Sequence, residues 1–510
     1  MLKLNRETIF KNKYLILLIL VMLFAFSIRF YYLVKSSEQA VWWDAADYLS
    51  TAKYFAGQAP DAFEDFHMSY KRTFFLPFIW SLFFRLGASE FIINLTELLF
   101  SLAGIYLTYL IGKEMFDEKI GLIAAFLMSV FWSHLFWGLR FMMDIPSATF
   151  LLASFYFFWR GYVKKEKNLH LYLFGLFFGL AVFTKSSVFS AIIPFGLYIL
   201  IKERLKIFRN KKLILTALIF LLVIAPFVIY VQLKTGDAIG KIVDINRFVN
   251  PSFAENGGRF SSLITHSVNM PMYLQLPFFA LMLIGLLSFI NLILGLDMAV
   301  KEENSHLNNL LLLFLWVFGI YFFFGVATGA EERHLMSLFP MLFILAAIGA
   351  VSCYRFLSKQ FVNIKYASKF VLLVLAIIFI LGSFLNLQYA DSLIKSKYSS
   401  YYPVKEAGLY VKENSMPSDL IYTASYYQNL YYSERNTRGF PKNESDFDME
   451  LKENNPKFVI VSVFEPAFTP QWAYAYADKH KDLFTPVKAY FADQQQKQPL
   501  LVVYQYNLYK

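Results

Sequence analysis

The sequence predicts an α-helical polytopic membrane protein of about eleven transmembrane helices, followed by a small extracytoplasmic α/β domain at the C-terminus. Three observations carry that expectation. Of 510 residues, 57% are hydrophobic and only 17% charged, against about 25% charged in soluble domains. Apolar runs approaching the ~20 residues that cross a bilayer recur as far as residue 387 and then stop. Basic residues collect in alternate loops between those runs, as they do in a chain threaded through a membrane. The same composition excludes a soluble globular enzyme, a coiled coil and a disordered chain. The net charge of +11 is therefore a topological signal, and no nucleic-acid partner is expected. A single cysteine, Cys353, forbids an intrachain disulfide and a Cys-based metal cluster.

The first run, 14–34, follows Lys3, Arg6, Lys11 and Lys13 and lacks a small-residue cleavage site. It reads as a retained signal anchor with a cytoplasmic N-terminus. Further runs lie near 91–111, 120–139, 146–162, 171–183, 188–201, 213–233, 272–296, 310–328, 335–354 and 370–387. Threading them from the inside puts three basic loops on the cytoplasmic face. Loop 160–167 holds four basic residues and one acidic, 202–212 six and one, and 355–369 four and none. The short turns on the outer face hold one basic residue each: Arg140, Lys185 and Arg333. This gives a membrane domain over 1–388, with a first outer loop at 35–90, and an outer domain over 389–510. The tail turns polar, rich in Tyr and Pro, with strand-like runs at 420–423, 458–464 and 500–506 and a helical stretch at 404–411.

Motifs of soluble enzymes are missing: no P-loop, no dinucleotide fingerprint and no His-x-x-x-His spacing. The Gly-rich loop at 255–259 reads as a plain turn. The sequence requires no cofactor, and no ligand spacing calls for a divalent metal, although carboxylates that could accept one are present. Charges at membrane level are more informative, because one at the bilayer centre costs about 2.5–3.5 kcal/mol. Just past the first run stands Trp42-Trp43-Asp44-Ala45-Ala46-Asp47-Tyr48. On a helix Asp44 and Tyr48 share a face, with Asp47 one three-residue step from Asp44. The plain reading is an interfacial aromatic belt with solvated carboxylates. The functional one is a carboxylate pair whose mutual repulsion raises one pKa, as a general base or cation site needs.

A second segment, Arg140-Phe-Met-Met-Asp144-Ile-Pro146, precedes the fourth run. Pro146 suits the first turn of a helix, so Asp144 either caps that helix or pairs with Arg140. The lone basics on the outer face (Lys71 with Arg72, Arg140, Lys185 and Arg333) either snorkel or form a receptor for an anionic headgroup. Glu332 and His334 flank Arg333 and would join that site.

Together these segments resemble the GT-C membrane glycosyltransferases, in the protein O-mannosyltransferase and lipid A aminoarabinose transferase group. Asp44-Ala45-Ala46-Asp47-Tyr48 is similar to that group's acidic Asp-Glu-x-x-Tyr motif, with Ala45 in place of the Glu. Tyr70-Lys71-Arg72-Thr73-Phe74-Phe75-Leu76-Pro77 resembles the segment that closes its first loop, without the paired prolines. Arg140…Asp144-Ile-Pro146, Gly175…Gly179-Leu-Ala-Val-Phe-Thr-Lys185 and Arg333-His-Leu-Met-Ser-Leu-Phe-Pro340 resemble three later motifs, in order. The resemblance implies a GT-C-like fold and an inverting transfer of sugar from a polyprenyl (dolichyl or undecaprenyl) phosphate to an acceptor hydroxyl of a protein or glycolipid. It implies Asp44 as general base with Asp144 as second catalytic carboxylate. Lys71, Arg140, Lys185 and Arg333 would hold the donor phosphate, and Asp47, Tyr48, Glu332 and His334 would contact substrate. These residues are expected to converge on one outward-opening cavity.

Three other readings compete. An oligosaccharide transferase or ligase would also meet an anionic lipid-linked donor. A transporter or flippase fits charges among broken helices, but the sequence has no inverted repeat and its charges lie at one face. A scaffold leaves the ordered motifs unexplained.

Overall fold

The computed structural model describes residues 13–58, 72–240, 260–327, 329–364, 366–493 and 495–508. Lys71 and the loop 255–259, both singled out above, lie outside them. The chain divides into two compact units. One comprises the described residues within Met1–Val34, Tyr70–Thr73 and Leu95–Ile394. The other comprises those within Lys35–Ser69, Phe74–Asn94 and Lys395–Lys510.

The first unit is helical. Among the described residues eight helices are long and apolar enough to cross a membrane, from Lys13–Lys35 to Ala367–Lys395. All eleven apolar runs of the sequence are helical over most of their length. The three outside those eight are short or interrupted. Helix Glu118–Val130 stops at Phe131, which is extended, and restarts as Trp132–Trp137. The restart is fixed by Asn386, whose Oδ1 accepts the Trp132 backbone N–H at 3.2 Å and so satisfies a donor the new helix cannot. Helix Asp144–Phe158 runs on into a π-turn, Trp159–Val163. Asn168–Thr184 has 17 residues.

Small residues set how closely these helices pack, as expected where no hydrophobic force draws helices together. A Cβ on Gly175 would stand 2.4 Å from the Thr216 carbonyl oxygen, so helices Asn168–Thr184 and Lys211–Thr235 meet backbone to backbone. Deep in the unit, Arg29 is fully buried and its guanidinium is shared among Ser101 Oγ at 2.7 Å, the Ser129 carbonyl at 2.9 Å and His134 Nδ1 at 3.0 Å. Arginine can only donate, so His134 accepts at Nδ1.

The second unit is built on a five-stranded sheet. Strands β1 (Leu420–Thr423), β2 (Asn436–Arg438), β3 (Phe458–Ser462), β4 (Phe484–Phe491) and β5 (Pro499–Tyr506) lie in the order β2-β1-β3-β5-β4. β1 is parallel to β2 and β3, whereas β5 is antiparallel to β3 and β4. Alternate residues of each strand face opposite sides. Ile421, Phe458, Ile460, Leu501 and Val503 pack under Val404, Ala407 and Val411, one stripe of helix Tyr402–Glu413. Tyr422, Val459 and Phe484 pack on the other face with Phe447 and Tyr476.

Two first-loop helices, Trp43–Ala56 and Phe75–Arg85, belong to this second unit. The Trp43 ring stacks on Phe468 at 4.9 Å and meets the edges of Tyr426 and Tyr427, each at 4.7 Å. The Val41 N–H donates to the Tyr432 hydroxyl at 2.8 Å, and Lys53 pairs with Glu434 at 3.0 Å.

Candidate active site

The first unit gathers four of the residues singled out in the sequence. Asp144 opens helix Asp144–Phe158, with Met143 at the cap position and no side-chain cap bond. Its carboxylate is therefore turned to another use: Oδ1 accepts from Lys185 Nζ at 2.6 Å. Asp144 is 4% exposed and the Lys185 side chain 25%. Lys185 reaches it because helix Asn168–Thr184 ends one residue earlier, with Lys185 extended at φ −148°. The close glycine packing described above places that helix end. Thr73 Oγ1 adds a bond to the Thr184 carbonyl at 2.7 Å, tying the close of the first loop to the residue before Lys185.

Arg333 and His334 act on the same carboxylate. Burial alone would raise the Asp144 pKa, but Lys185, Arg333 and His334 outweigh it and hold the carboxyl below its ordinary range. Asp144 is thus an anion at neutral pH. Both Arg333 and His334 lie on a single 3₁₀ turn, Glu332–Leu335. Arg333 donates to Glu331 at 2.6 Å, and its guanidinium lies 5.2 Å from the centre of the Trp137 ring. His334 Nδ1 lies 3.0 Å from the Gly329 carbonyl, which can only accept, so the proton sits at Nδ1 and the neutral ring keeps Nε2 as an acceptor. Burial, Lys185 and Arg333 push the His334 pKa down against the pull of Asp144 and Gly329.

The remaining candidates of this unit have other engagements. Glu332 accepts from Trp137 Nε1 at 2.9 Å and from Ser133 Oγ at 3.4 Å, so it anchors the short helix Trp132–Trp137. The Arg140 guanidinium lies over the Phe136 ring at 3.7 Å and donates to the Phe136 carbonyl. In the second unit, Asp44 stands in the first turn of helix Trp43–Ala56, half-buried, with Tyr48 half-buried one turn on. A carboxylate suits that end of a helix dipole. Asp47 is deeper, at 6% exposure. Among the described residues no three His, Cys, Asp or Glu side chains gather in a metal-ligating set.

Sequence reasoning missed Glu97. It is fully buried on helix Glu90–Met115, neither carboxylate oxygen has a hydrogen-bond partner among the described residues, and it interacts electrostatically with Asp144. The signal was present: a carboxylate within the apolar run 91–111 is as costly as the outer-face charges that were weighed.

The protein family described as dolichyl-phosphate-mannose-protein mannosyltransferase matches residues 71–230, a stretch that holds Arg140, Asp144 and Lys185. No curated protein matches the full sequence. Among solved structures, ArnT from Cupriavidus metallidurans bound to undecaprenyl phosphate matches with a TM-score of 0.65 at 12% identity, over 96% of this chain and 98% of that one. The archaeal oligosaccharyltransferase AglB from Archaeoglobus fulgidus, in complex with an inhibitory peptide and a dolichol-phosphate, matches with a TM-score of 0.60 at 14% identity. That match covers 89% of this chain and 70% of AglB. At such identities the likeness establishes a common fold, and the GT-C-like fold expected from the motifs is borne out.

Proposed function

We propose that the protein is an inverting membrane glycosyltransferase that moves a sugar from a polyprenyl-phosphate donor to an acceptor hydroxyl on the outer face of the cell membrane. The observation that carries this reading is the buried Asp144–Lys185 pair with Arg333 and His334 beside it. It sits in a fold shared over nearly the whole chain with ArnT, a protein solved with undecaprenyl phosphate. The family matched by residues 71–230 supports a mannosyltransferase-like donor.

In this reading the acceptor hydroxyl oxygen attacks the anomeric carbon while the bond from that carbon to the phosphate oxygen breaks. Asp44 takes the hydroxyl proton as general base, which needs hydrogen-bond reach to the acceptor. One displacement inverts the anomeric centre. The departing polyprenyl phosphate gains negative charge, and Lys71, Arg140, Lys185 and Arg333 stabilise it. Asp144 aims Lys185 and keeps its charge in place. Asp47, Tyr48, Glu332 and His334 complete the surroundings of sugar and acceptor. The chemistry belongs to the membrane domain over 1–388 with its loop at 35–90, and the soluble domain over 389–510 supports it.

Topology follows the same reading. The basic loops 160–167, 202–212 and 355–369 support a cytoplasmic N-terminus and an extracytoplasmic tail. Labelling of single cysteines at 207 and 480 tests it, since both falling on one side overturns the arrangement.

The likeness to AglB supports a second reading, transfer of an oligosaccharide. Detergent-purified protein incubated with radiolabelled polyprenyl-phosphate monosaccharides and, separately, lipid-linked oligosaccharides distinguishes the two. Labelled acceptor from a monosaccharide donor supports the first. Transfer from neither, with solute uptake into liposomes, rejects both.

A further inference from the structure

A second amphipathic site lies on helices of the first unit other than the one that Asp144 opens. A groove of about 590 Å³ opens among four helices of the first unit: Lys13–Lys35, Glu118–Val130, Phe339–Gln360 and Ala367–Lys395. Its polar lining is confined to one end. Lys119 is the second residue of its helix, Tyr14 is the second described residue of its own, and Tyr354 and Arg355 lie in the last two turns of theirs. The rest of the lining is apolar, including Leu122, Leu375 and Phe379. Phe379 is twelve residues into helix Ala367–Lys395, which is ~18 Å along its axis.

The acidic groups near the polar end are already engaged. Asp117 Oδ1 caps helix Glu118–Val130 by accepting the Ile120 N–H at 2.9 Å, and Oδ2 meets Arg355 at 3.3 Å. Glu118 pairs with Lys113 at 3.2 Å. Lys119 is exposed, the Arg355 side chain is 66% exposed, and Lys13 adds a third cation 5.1 Å from the centre of the Tyr14 ring. A cationic mouth over an apolar floor is complementary to a molecule with an anionic head and a hydrocarbon chain. Basic pockets between transmembrane helices hold anionic lipid headgroups in this way.

We infer that this groove binds an anionic phospholipid, its phosphate between Lys119 and Arg355 and one acyl chain along Leu122, Leu375 and Phe379. The site is separate from the Asp144–Lys185 pair. Lys119 and Asp144 stand at opposite ends of the 118–144 segment, about 25 residues of mostly helical chain apart. The lipid would cover apolar surface that the described residues leave open. Helices Lys13–Lys35 and Ala367–Lys395 bury only 17% and 22% of their apolar windows within the chain.

The test uses the full-length protein, delipidated in detergent and titrated with phosphatidylglycerol or with phosphatidylcholine of the same acyl chains. Native mass spectrometry counts bound lipid, and Tm reads stabilisation. Phosphatidylglycerol is expected to bind one saturable site more tightly than phosphatidylcholine and to raise Tm. Lys119→Ala with Arg355→Ala should weaken phosphatidylglycerol by about 10- to 30-fold, given the contribution of each basic residue, and leave phosphatidylcholine unchanged. Leu122→Trp, which fills the floor and keeps both cations, should abolish the saturable site. Equal binding of the two lipids, or unchanged phosphatidylglycerol affinity in both variants, overturns the assignment. So does undecaprenyl phosphate displacing phosphatidylglycerol from the groove at lower concentration.

Discussion

Lys185 donates to Asp144 across 41 positions of sequence, and the 2.6 Å contact is shielded on the carboxylate side almost completely from solvent. Removing one member of such a pair leaves the other uncompensated. Asp144→Asn should therefore lower Tm and weaken donor binding, and kcat/KM should fall by about 10²–10³-fold. Lys185 is a quarter exposed, so water softens the stability loss. The double variant Asp144→Asn with Lys185→Gln separates fold from function. It should recover Tm but not transfer, and recovery of both would make the pair purely structural.

His334 gives a pH signature. Its pKa is pushed below the ordinary value of about 6.5 by burial and by Lys185 and Arg333. The folded protein then binds fewer protons than the unfolded chain as pH falls below about 6.5, so its stability declines with acidification over that range. Asp144, also depressed, contributes a separate loss only below about pH 4, as pH falls from the ordinary carboxylate value through its folded one. Tm measured from about pH 8 to about pH 3 should drop on the acid side. His334→Gln should make the stretch just below about pH 6.5 less steep and leave the lowest stretch in place. Superposable profiles for the two proteins would remove His334 from the buried cluster.

The parts of the site that were legible in the sequence were those a bilayer makes conspicuous. Lys185 and Asp144 stood out because charge is costly there, and the helices because apolar length is visible. Partner choice was not legible. Asp144 is equally suited by sequence to capping or to Arg140, four residues away, and Lys185 comes to it from the end of helix Asn168–Thr184, which Gly175 lets lie against Thr216. Glu97 was hidden by the opposite effect: its apolar neighbours made a convincing span that absorbed it. In the tail, β1, β3 and β5 followed from their apolar runs. β2 has only three residues, and β4 is an edge strand with Pro486 and two register shifts, so neither shows a clean alternation.

Within the second unit, Trp43 ties the helix that carries Asp44 to residues of the C-terminal part of the chain. Its ring is held by Phe468, Tyr426 and Tyr427, while Glu434 takes Lys53 at 3.0 Å and Lys412 at 2.8 Å. Loosening this hold should blur the aim of the first turn. Because small misplacements of a reacting group cost up to about 10²-fold, Trp43→Ala should reduce kcat by about 10–10²-fold with donor KM little changed. Trp43→Phe, which keeps a ring against Phe468, should recover most of it. A rise in KM alone would instead place Trp43 in donor binding.

Asp44 is the residue on which the proposed chemistry depends most. It is half-buried in the first turn of helix Trp43–Ala56. Asp47, one turn away, is 6% exposed, and its backbone carbonyl accepts from Thr51 Oγ1 at 3.0 Å. The two carboxylates therefore invite different outcomes from the same substitution. Asp44→Asn keeps size and most hydrogen bonding but cannot accept the acceptor's proton. General-base contributions are about 10²–10⁴-fold, so transfer should fall by at least about two orders of magnitude while Tm stays constant. Donor affinity should persist, since the proposed role of Asp44 is toward the acceptor hydroxyl. Asp47→Asn, made where the side chain is buried, should lower Tm and cost transfer less. Single-turnover transfer and donor-binding titrations on both variants decide the matter. Near-normal transfer by Asp44→Asn, with loss of transfer in Asp47→Asn, would move the base from the half-buried carboxylate to the buried one.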